Sequence, residues 1–312
     1  MTTLVDVARR AGVSKSTASN VVRGGALVAE ATRERVERAI AETGYHPNAI
    51  ARSLKARSSK AIGVLVPDLT NPFYAELVVS VERAAGALGY AVLAVHSECL
   101  PETENATGRA LIERRVDGVI IGGISVGSSL PKTLLDRGIA VVLASLGEPT
   151  DQRLGVIDHD DAKAMEAVVE HLCGLGHRRL AFAPQALREN SGERRRIGFE
   201  SALAQRGLTP AGLDAATAIV AHNDMQAIAL IDRLEERGKR VPHDVSVVGY
   251  DDIPLAAHGR IRLTTVRSDA THMGRRAVEL VVGASREGRH VCWRELHSNP
   301  LIIRSTSGKA PR

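Results

Sequence analysis

Residues 3–23 read TLVDVARRAGVSKSTASNVVR, two short amphipathic segments separated by a glycine. Thr3 followed three residues later by Asp6 is a capping-box pattern, which occupies backbone N–H groups that the first turn of a helix leaves without partners. Leu4, Val5, Ala8 and Ala11 then recur at helical spacing. Gly12 breaks this helix, and Ser14 can cap a second one running to about Arg23. There Val13, Ala18, Val21 and Val22 can face inward while Lys15, Ser16, Thr17 and Asn20 face out. Gly24-Gly25 ends the second helix, and Val36, Ala39 and Ile40 mark a third, stopped by Gly44. Two helices joined through a glycine turn, the second with a polar outer face, predict a helix-turn-helix. A generic three-helix bundle shares this periodicity. The outer face favours the first reading, because Asn can bond adenine through two contacts, Lys can reach guanine acceptors, and Ser or Thr can serve either base.

Beyond Pro47, Asn48 can cap one short basic helix, Ala49 to Arg57, before the polar pair Ser58-Ser59. It has too few apolar residues to hold itself together, and an isolated helix of this length is marginal in water. It reads either as an ordinary linker or as a helix that orders only against a partner.

Charge is distributed in the same way. Residues 1–60 hold eleven Lys and Arg against five acids, a balance of +6, whereas the whole 312-residue chain carries +5. The body is therefore nearly neutral, and the basic module in front of it favours a polyanion partner. Hydrophobic residues make up 44% of the chain and charged ones 25%, which suits globular domains with more than one core. No apolar run is long enough for a spanning helix. Asp6, Arg9 and Arg10 stand where a signal peptide needs an apolar run, and Cys99, Cys173 and Cys292 are odd in number and far apart. These features predict a chain kept in a reducing cytoplasm without a disulfide framework.

From residue 61 short apolar runs alternate with amphipathic segments. Candidate strands are Ala61–Val66, Ala91–Val95, Asp117–Ile121 and Ala140–Ala144, then Leu180–Ala183, Thr217–Ala221 and Val245–Val248. Helical segments lie near 73–88, 101–115 and 130–137, then 161–175, 193–206 and 224–237. Repeated units of this kind predict two lobes of open, parallel α/β layers. A ligand would sit beyond the carboxyl ends of the strands, between the lobes.

Several chemistries are absent. Gly122-Gly123 and Gly127 lack the ordered dinucleotide fingerprint, and no phosphate-cradling Gly-x-x-x-x-Gly-Lys-Ser/Thr loop exists. His171, Cys173 and His177 straddle glycines without a recognised metal-ligand spacing. Ser191-Gly192 is not a nucleophile elbow, and Asp251-Asp252 suits a loop pair that binds hydroxyls as well as it suits acid–base work. No enzyme, cofactor or metal is expected.

The chain resembles the LacI/GalR family of bacterial transcription regulators. The resemblance rests on Leu4–Val22, Thr32–Tyr45 and His46–Leu54 in the basic module. In the body it rests on Gly63–Tyr74, Glu113–Gly118, Glu170–Ala181, Val241–Asp252, Leu263–Val266 and Met273–Val278. It implies a helix-turn-helix headpiece (1–46), a hinge helix and linker (47–60), and a two-lobe α/β effector domain like the periplasmic sugar-binding proteins. The lobes would be 61–158 with 268–294, and 159–267 with 295–312. It further implies a cytoplasmic homodimer, nucleoid-associated when bound, that represses transcription from a pseudo-palindromic operator. A sugar- or nucleoside-like effector would shift the lobes. An exported solute-binding protein, or a regulator whose degenerate effector site leaves it constitutive or under a protein partner, are the competing functions.

By this likeness Lys15, Ser16 and Asn20 fall on base-reading positions, the last being commonly Arg in the family. Thr3, Ser14, Thr17, Asn48, Ala51, Arg52, Lys55 and Arg57 fall on other DNA-contact positions, and Leu54 on the leucine that wedges into a minor-groove base step. Ala29 stands where a Ser usually caps the third helix. Effector-contact positions fall on Asn71, Phe73, Tyr74, Asp158, Arg195, Asn223 and Asp251, where Phe73 can also serve the core and Asp158 can cap the next helix. Between Phe199 and Asn223 the chain lacks about twenty residues that relatives carry, enough for one βα unit. A right-handed crossover would then move the helix near 193–206 to the other sheet face and take Arg195 out of the cleft. Ser145 also replaces an Asp of sugar-binding members. Together these differences imply intact operator binding with a weak response to simple sugars. The tail Ser305–Arg312 has no apolar heptads, so no tetramerising helix is expected.

Leu54→Ala should lower affinity for operator DNA while leaving binding to random DNA, and its salt dependence, nearly unchanged. Filter binding at two salt concentrations measures both; equal loss on the two DNAs would contradict the wedge.

Overall fold

The computed structural model describes residues 2–22, 28–45, 58–144, 151–183, 190–288, 290–291 and 293–311. It forms two units, Met1–Ser59 and Lys60–Arg312. In the first, α1 (Leu4–Ala11), α2 (Lys15–Val22) and α3 (Glu30–Thr43) enclose Val7, Ala8, Ala11, Ala18, Val21, Val36 and Ala39. The Asp6 carboxylate accepts from both the backbone N–H (2.9 Å) and the hydroxyl (2.7 Å) of Thr3, which anchors the first turn of α1. Gly12, at φ 64°, ends α1 in the left-handed conformation that glycine adopts without a Cβ clash. Ser14 Oγ then accepts from the Thr17 N–H at 3.1 Å and opens α2.

The second unit holds two sheets. The first contains β1 (Ala61–Val66), β2 (Ala91–His96), β3 (Gly118–Ile121), β4 (Ala140–Ala144), β5 (Gly155–His159) and β10 (Trp293–His297), all parallel, in the order β10-β5-β4-β3-β1-β2. On one face lie α4 (Pro72–Ala87) and α10 (Ala270–Glu287), packed against Ile62, Val64, Ile120, Val142 and Ile157. On the other lie α5 (Pro101–Glu113) and α6 (Leu130–Asp136), against Leu65, Val119, Ile121, Val141 and Val156. Alternate residues of one strand serve opposite faces, as the pleat requires.

The second sheet contains β6 (Leu180–Phe182), β7 (Ala218–Val220), β8 (Ser246–Asp251) and β9 (Thr264–Arg267) in parallel, with β11 (Leu301–Ile302) antiparallel to β9; the order is β11-β9-β8-β7-β6. Its helices are α7 (Asp161–Gly174), α8 (Asn190–Ala204) and α9 (Asp224–Glu236). Four strands run beyond the apolar runs read from the sequence: β5, β9, β10 and β11. The expected lobe boundary at 294/295 falls inside β10, which pairs along its whole length with β5. The chain crosses between sheets at 159–161, 267–270 and 297–301.

In the first sheet the opening strand β1 is flanked outward by β2; in the second, the opening strand β6 is itself the edge. One βα unit is missing there, as expected from the sequence. Its consequence is not the expected one. Leu172, Phe199 and Leu203 pack on Leu180, Val220 and Tyr250, so α7 and α8 share a face. Leu230 and Leu234 of α9 pack on Ala181 and Ile219, the opposite face. The steps β6→β7 and β7→β8 proceed in the same direction with helices on opposite faces, so they have opposite hands. With β7–α9–β8 in the usual right-handed sense, β6–α8–β7 is left-handed. The chain manages this by running from α8 around the open edge of β6, where the Ala211 N–H bonds the Leu180 carbonyl at 2.8 Å, before returning into β7. The connection also covers an edge that would otherwise expose unpaired backbone groups.

Two buried polar groups brace this sheet. His177, set aside as a metal ligand, contacts Thr217 Oγ1 (3.0 Å), Ser246 Oγ (3.1 Å) and the Gly308 carbonyl (3.0 Å), fastening the tail. Asp224 accepts from the Ile253 N–H at 2.9 Å and from Thr265 Oγ1 at 2.5 Å, and burial pushes its carboxyl up to about 7. A Cβ at Gly249 would meet Asp224 Oδ1 at 2.2 Å, so glycine alone fits there.

Ala29 occupies the N-cap of α3 with extended backbone (φ −57°, ψ 141°) and no side-chain acceptor. Ala29→Ser should therefore stabilise the headpiece by about 1 kcal/mol, read as slower amide exchange in α3; unchanged exchange would show that the cap site is already satisfied.

Candidate nucleic-acid interface and effector site

Burial of Ala18 and Val21 fixes the rotation of α2, and Lys15, Ser16 and Asn20 are left exposed on its outer side. Ser14 Oγ lies 2.7 Å from Ser16 Oγ and 2.9 Å from Thr17 Oγ1, a hydroxyl cluster at the start of the helix. Lys15 has no acidic partner among the described residues. By contrast Arg10 is held by Glu42 at 2.7 Å and Arg9 lies 3.5 Å from Asp6. The hydrogen bonds from Thr3 keep the Asp6 carboxyl below its usual range, so it stays charged and occupied. The exposed outer side of α2 is thus polar and cationic. The hinge positions Asn48, Ala51, Arg52, Leu54, Lys55 and Arg57 lie outside the described residues, as does Ser145.

At the carboxyl ends of β7 and β8 the body encloses a cluster of charges. Arg195 is 3% exposed. Its guanidinium donates to the His222 carbonyl at 2.8 Å, stands 3.6 Å from both Asp161 and Asp251, and covers the Tyr250 ring at 3.6 Å. The Tyr250 hydroxyl donates to Asp161 at 2.6 Å. Arg194 reaches Asp158 (2.9 Å), the His159 carbonyl (3.0 Å) and Asp161 (2.8 Å). Two cations and three carboxylates therefore share one water-poor volume, where unpaired charge would be costly. Burial raises the Asp158 carboxyl against the pull of Arg194 and raises the Tyr250 phenol well above its ordinary value. It lowers His159 to about 4, so that ring is neutral at physiological pH. Asp251 and Asp252 have φ values of 113° and 58°, a bend at the end of β8 that non-glycine residues adopt only when their surroundings hold them. Arg267 and Arg304 hold Asp252 at 2.8 and 2.6 Å.

The structure thus brings together Asp158, Arg195 and Asp251, with Asn223 next to His222. Arg195 is not displaced: the left-handed crossover keeps α8 beside α7 and the guanidinium inside. Asp158 does not cap α7, a role that Asp160 takes by accepting from the Lys163 N–H at 3.1 Å. Asn223 and Asn71 are both helix caps, accepting from Gln226 (2.9 Å) and Phe73 (3.1 Å). Phe73 and Tyr74 meet edge to face at 5.1 Å in an apolar cluster that also contains Ala221 and Ile253 of the second lobe. The sequence reading missed Asp161, Arg194, His159, His222 and Tyr250. Their signal was the run Arg194-Arg195-Arg196 opposite His159-Asp160-Asp161. A helix turns 100° per residue, so Arg196 points out to Glu193 and Glu200 while its two neighbours point in.

Comparisons with known proteins agree with both units. Residues 3–48 match the model for bacterial regulatory proteins of the lacI family. Residues 59–215 match periplasmic binding proteins and the sugar binding domain of the LacI family, and 169–307 a periplasmic binding protein-like domain. The chain is 32% identical over 331 residues to the HTH-type transcriptional repressor PurR of Photobacterium profundum, covering 98% of each. It is 31% identical over 315 residues to PurR of Vibrio cholerae, covering 93% of each. Its fold matches the Lac repressor dimer bound to operator and the anti-inducer ONPF with a TM-score of 0.87 and 27% identity, over 98% of this chain and 99% of that one. It matches a complex of the regulator CelR with cellobiose with a TM-score of 0.71 and 28% identity, over 98% of this chain and 100% of that one. A basic headpiece with an exposed polar helix, joined to a two-lobe binding domain and matched along nearly its whole length, makes this chain a member of the LacI family of DNA-binding transcription regulators.

Proposed function

We propose that the chain acts in the cytoplasm as a homodimeric repressor, with α2 in the major groove of each half of a pseudo-palindromic operator and the hinge around Leu54 in the minor groove between them. The observation that carries this reading is the outer side of α2, where Lys15, Ser16 and Asn20 are exposed opposite the buried Ala18 and Val21. No catalysis is part of this role. Homodimerisation is supported by a groove of about 880 Å³ between α4 and α10, lined by exposed Val79 and Leu88. Apolar residues exposed together suit a second copy of the same face.

For the effector, two readings remain in competition. A sugar- or nucleoside-like ligand between the lobes is supported by the place of Arg195, Asp158 and Asp251 beyond the strand ends. A degenerate site, leaving the regulator constitutive or under a protein partner, is favoured by one specific observation. The polar groups that would anchor a ligand are engaged with one another, Arg195 with Asp161 and Asp251, and Asp158 with Arg194. A ligand entering here would have to replace these ion pairs.

Two substitutions test the reading. Asn20→Arg should shift preference from adenine toward guanine at one position in each half-site, with discrimination of about 1–3 kcal/mol; an unchanged site profile in a binding selection would remove Asn20 from base reading. Arg195→Met leaves buried carboxylates without their shared cation and should destabilise the chain by about 3–5 kcal/mol in urea unfolding. A loss below about 1 kcal/mol, typical of exposed pairs, would show that Arg195 is kept for a ligand instead.

A further inference from the structure

The edge strand of the first sheet and the first turn of α10 meet at a cluster that neither the DNA interface nor the effector cleft uses. Trp293, Glu295 and His297 alternate along β10 and so share one face of the sheet. His272 stands in the first turn of α10, where its backbone N–H donates to the Asp269 carboxylate at 2.8 Å. Arg276 follows one turn later on the same stripe. Across this contact Glu295 Oε1 lies 3.3 Å from His272 Nε2 and 2.9 Å from His297 Nε2. The two imidazoles meet edge to face with centroids 4.6 Å apart, and all three ligand-type atoms lie within 4.8 Å of one another. Each side chain is between one fifth and one third exposed.

Two details distinguish this arrangement from an ordinary ion pair. The first is that Glu295 divides its oxygens. Oε2 accepts from Arg276 Nε (2.8 Å) and Trp293 Nε1 (3.3 Å), which orient the carboxylate and leave Oε1 toward the histidines. The second is that His297 Nε2 is buried and makes no hydrogen bond, although Oε1 is only 2.9 Å away. A buried ring nitrogen without a hydrogen-bond partner is one that a bound ion would satisfy. A tetrahedral ion with bonds of about 2.0–2.1 Å sets neighbouring ligand atoms about 3.3 Å apart. One rearrangement is needed. Coordination through His272 Nε2 puts the ring proton on Nδ1, where Arg275 now donates at 3.2 Å. The Arg275 side chain is 55% exposed and keeps its ion pair with Glu279, so it can withdraw.

We propose that His272, Glu295 and His297 form a site for a divalent transition metal of the zinc, cobalt and nickel class, with a fourth position open to water. His297 precedes the crossover into β11, and His272 follows the crossover out of β9. Asn299 Nδ2 already joins the two by donating to the Arg267 carbonyl at 2.8 Å. The ion fastens these two crossovers together on the first-lobe side and stiffens the hinge between lobes.

Zinc sulfate titrated calorimetrically into the chelator-stripped full-length chain should bind one ion per chain. Binding should weaken on the order of tenfold or more in His272→Ala and in His297→Ala, and should be unchanged in His243→Ala, which alters an exposed histidine elsewhere. Circular dichroism and melting without metal show whether the variants fold. If they do not, the wild type decides: zinc should protect His272 and His297 from diethyl pyrocarbonate, mapped by peptide mass spectrometry. Undiminished zinc binding by a folded His272→Ala/His297→Ala double variant overturns the site. So does protection confined to other histidines, or no stoichiometric binding by the wild type.

Discussion

A buried guanidinium that must be neutralised governs the second lobe. Arg195 stands over Tyr250 between Asp161 and Asp251, and Arg194 beside it holds Asp158 and Asp161. These residues come from β5, α7, α8 and β8, so a single electrostatic requirement ties the first crossover between lobes to the carboxyl end of the second sheet. It also accounts for the unusual crossover. With one βα unit absent, the right-handed path would carry α8 to the other face, leaving three carboxylates without their cations and Phe199 without its core. Both costs bear on the same helix, and together they outweigh the preference for right-handed connection, which arises only from strand twist.

The headpiece follows a different logic. Its buried residues are small, chiefly Ala and Val, so the three helices approach closely around a thin core. Its helix ends are governed by polar contacts: Asp6 on Thr3 for α1, and Ser14 on Thr17 for α2. Such a module keeps its polar outer side by orienting α2 through just two buried residues, Ala18 and Val21. Economy of core suits a unit whose task is to present a surface, whereas the body buries long aliphatic strands on both faces of two sheets.

The crossovers are where the body concentrates its polar chemistry. Asp158, His159 and Asp161 surround the first, Asn299 joins the second to the third, and the His272–Glu295–His297 cluster flanks the same pair. Any shift of one lobe relative to the other would have to bend the chain here. Charged and hydrogen-bonded groups at such points have directional partners that can be exchanged, unlike the apolar contacts of the sheet faces.

The periodicity of residues 3–22, the charge of the first 60 residues and the alternation of apolar runs after residue 61 were sufficient for the headpiece and the two lobes. These are local properties: spacing on a helix, a cap three residues from its partner, a run long enough for a strand. The missing βα unit and the candidates Asp158, Arg195 and Asp251 came instead from the resemblance to the LacI/GalR family. What neither supplied was the company these residues keep. Arg195 meets Asp161 across 34 positions of sequence and Tyr250 across 55. His272 and Glu295 converge from a helix and a strand that carry no ligand spacing. The short strands β9, β10 and β11 likewise depend on partners rather than on their own hydrophobicity. The hand of the β6–β7 crossover lies furthest from the sequence. Local pattern proposes only a strand, a helix and a strand, and the face on which the helix settles is decided by the charges and apolar surface waiting there.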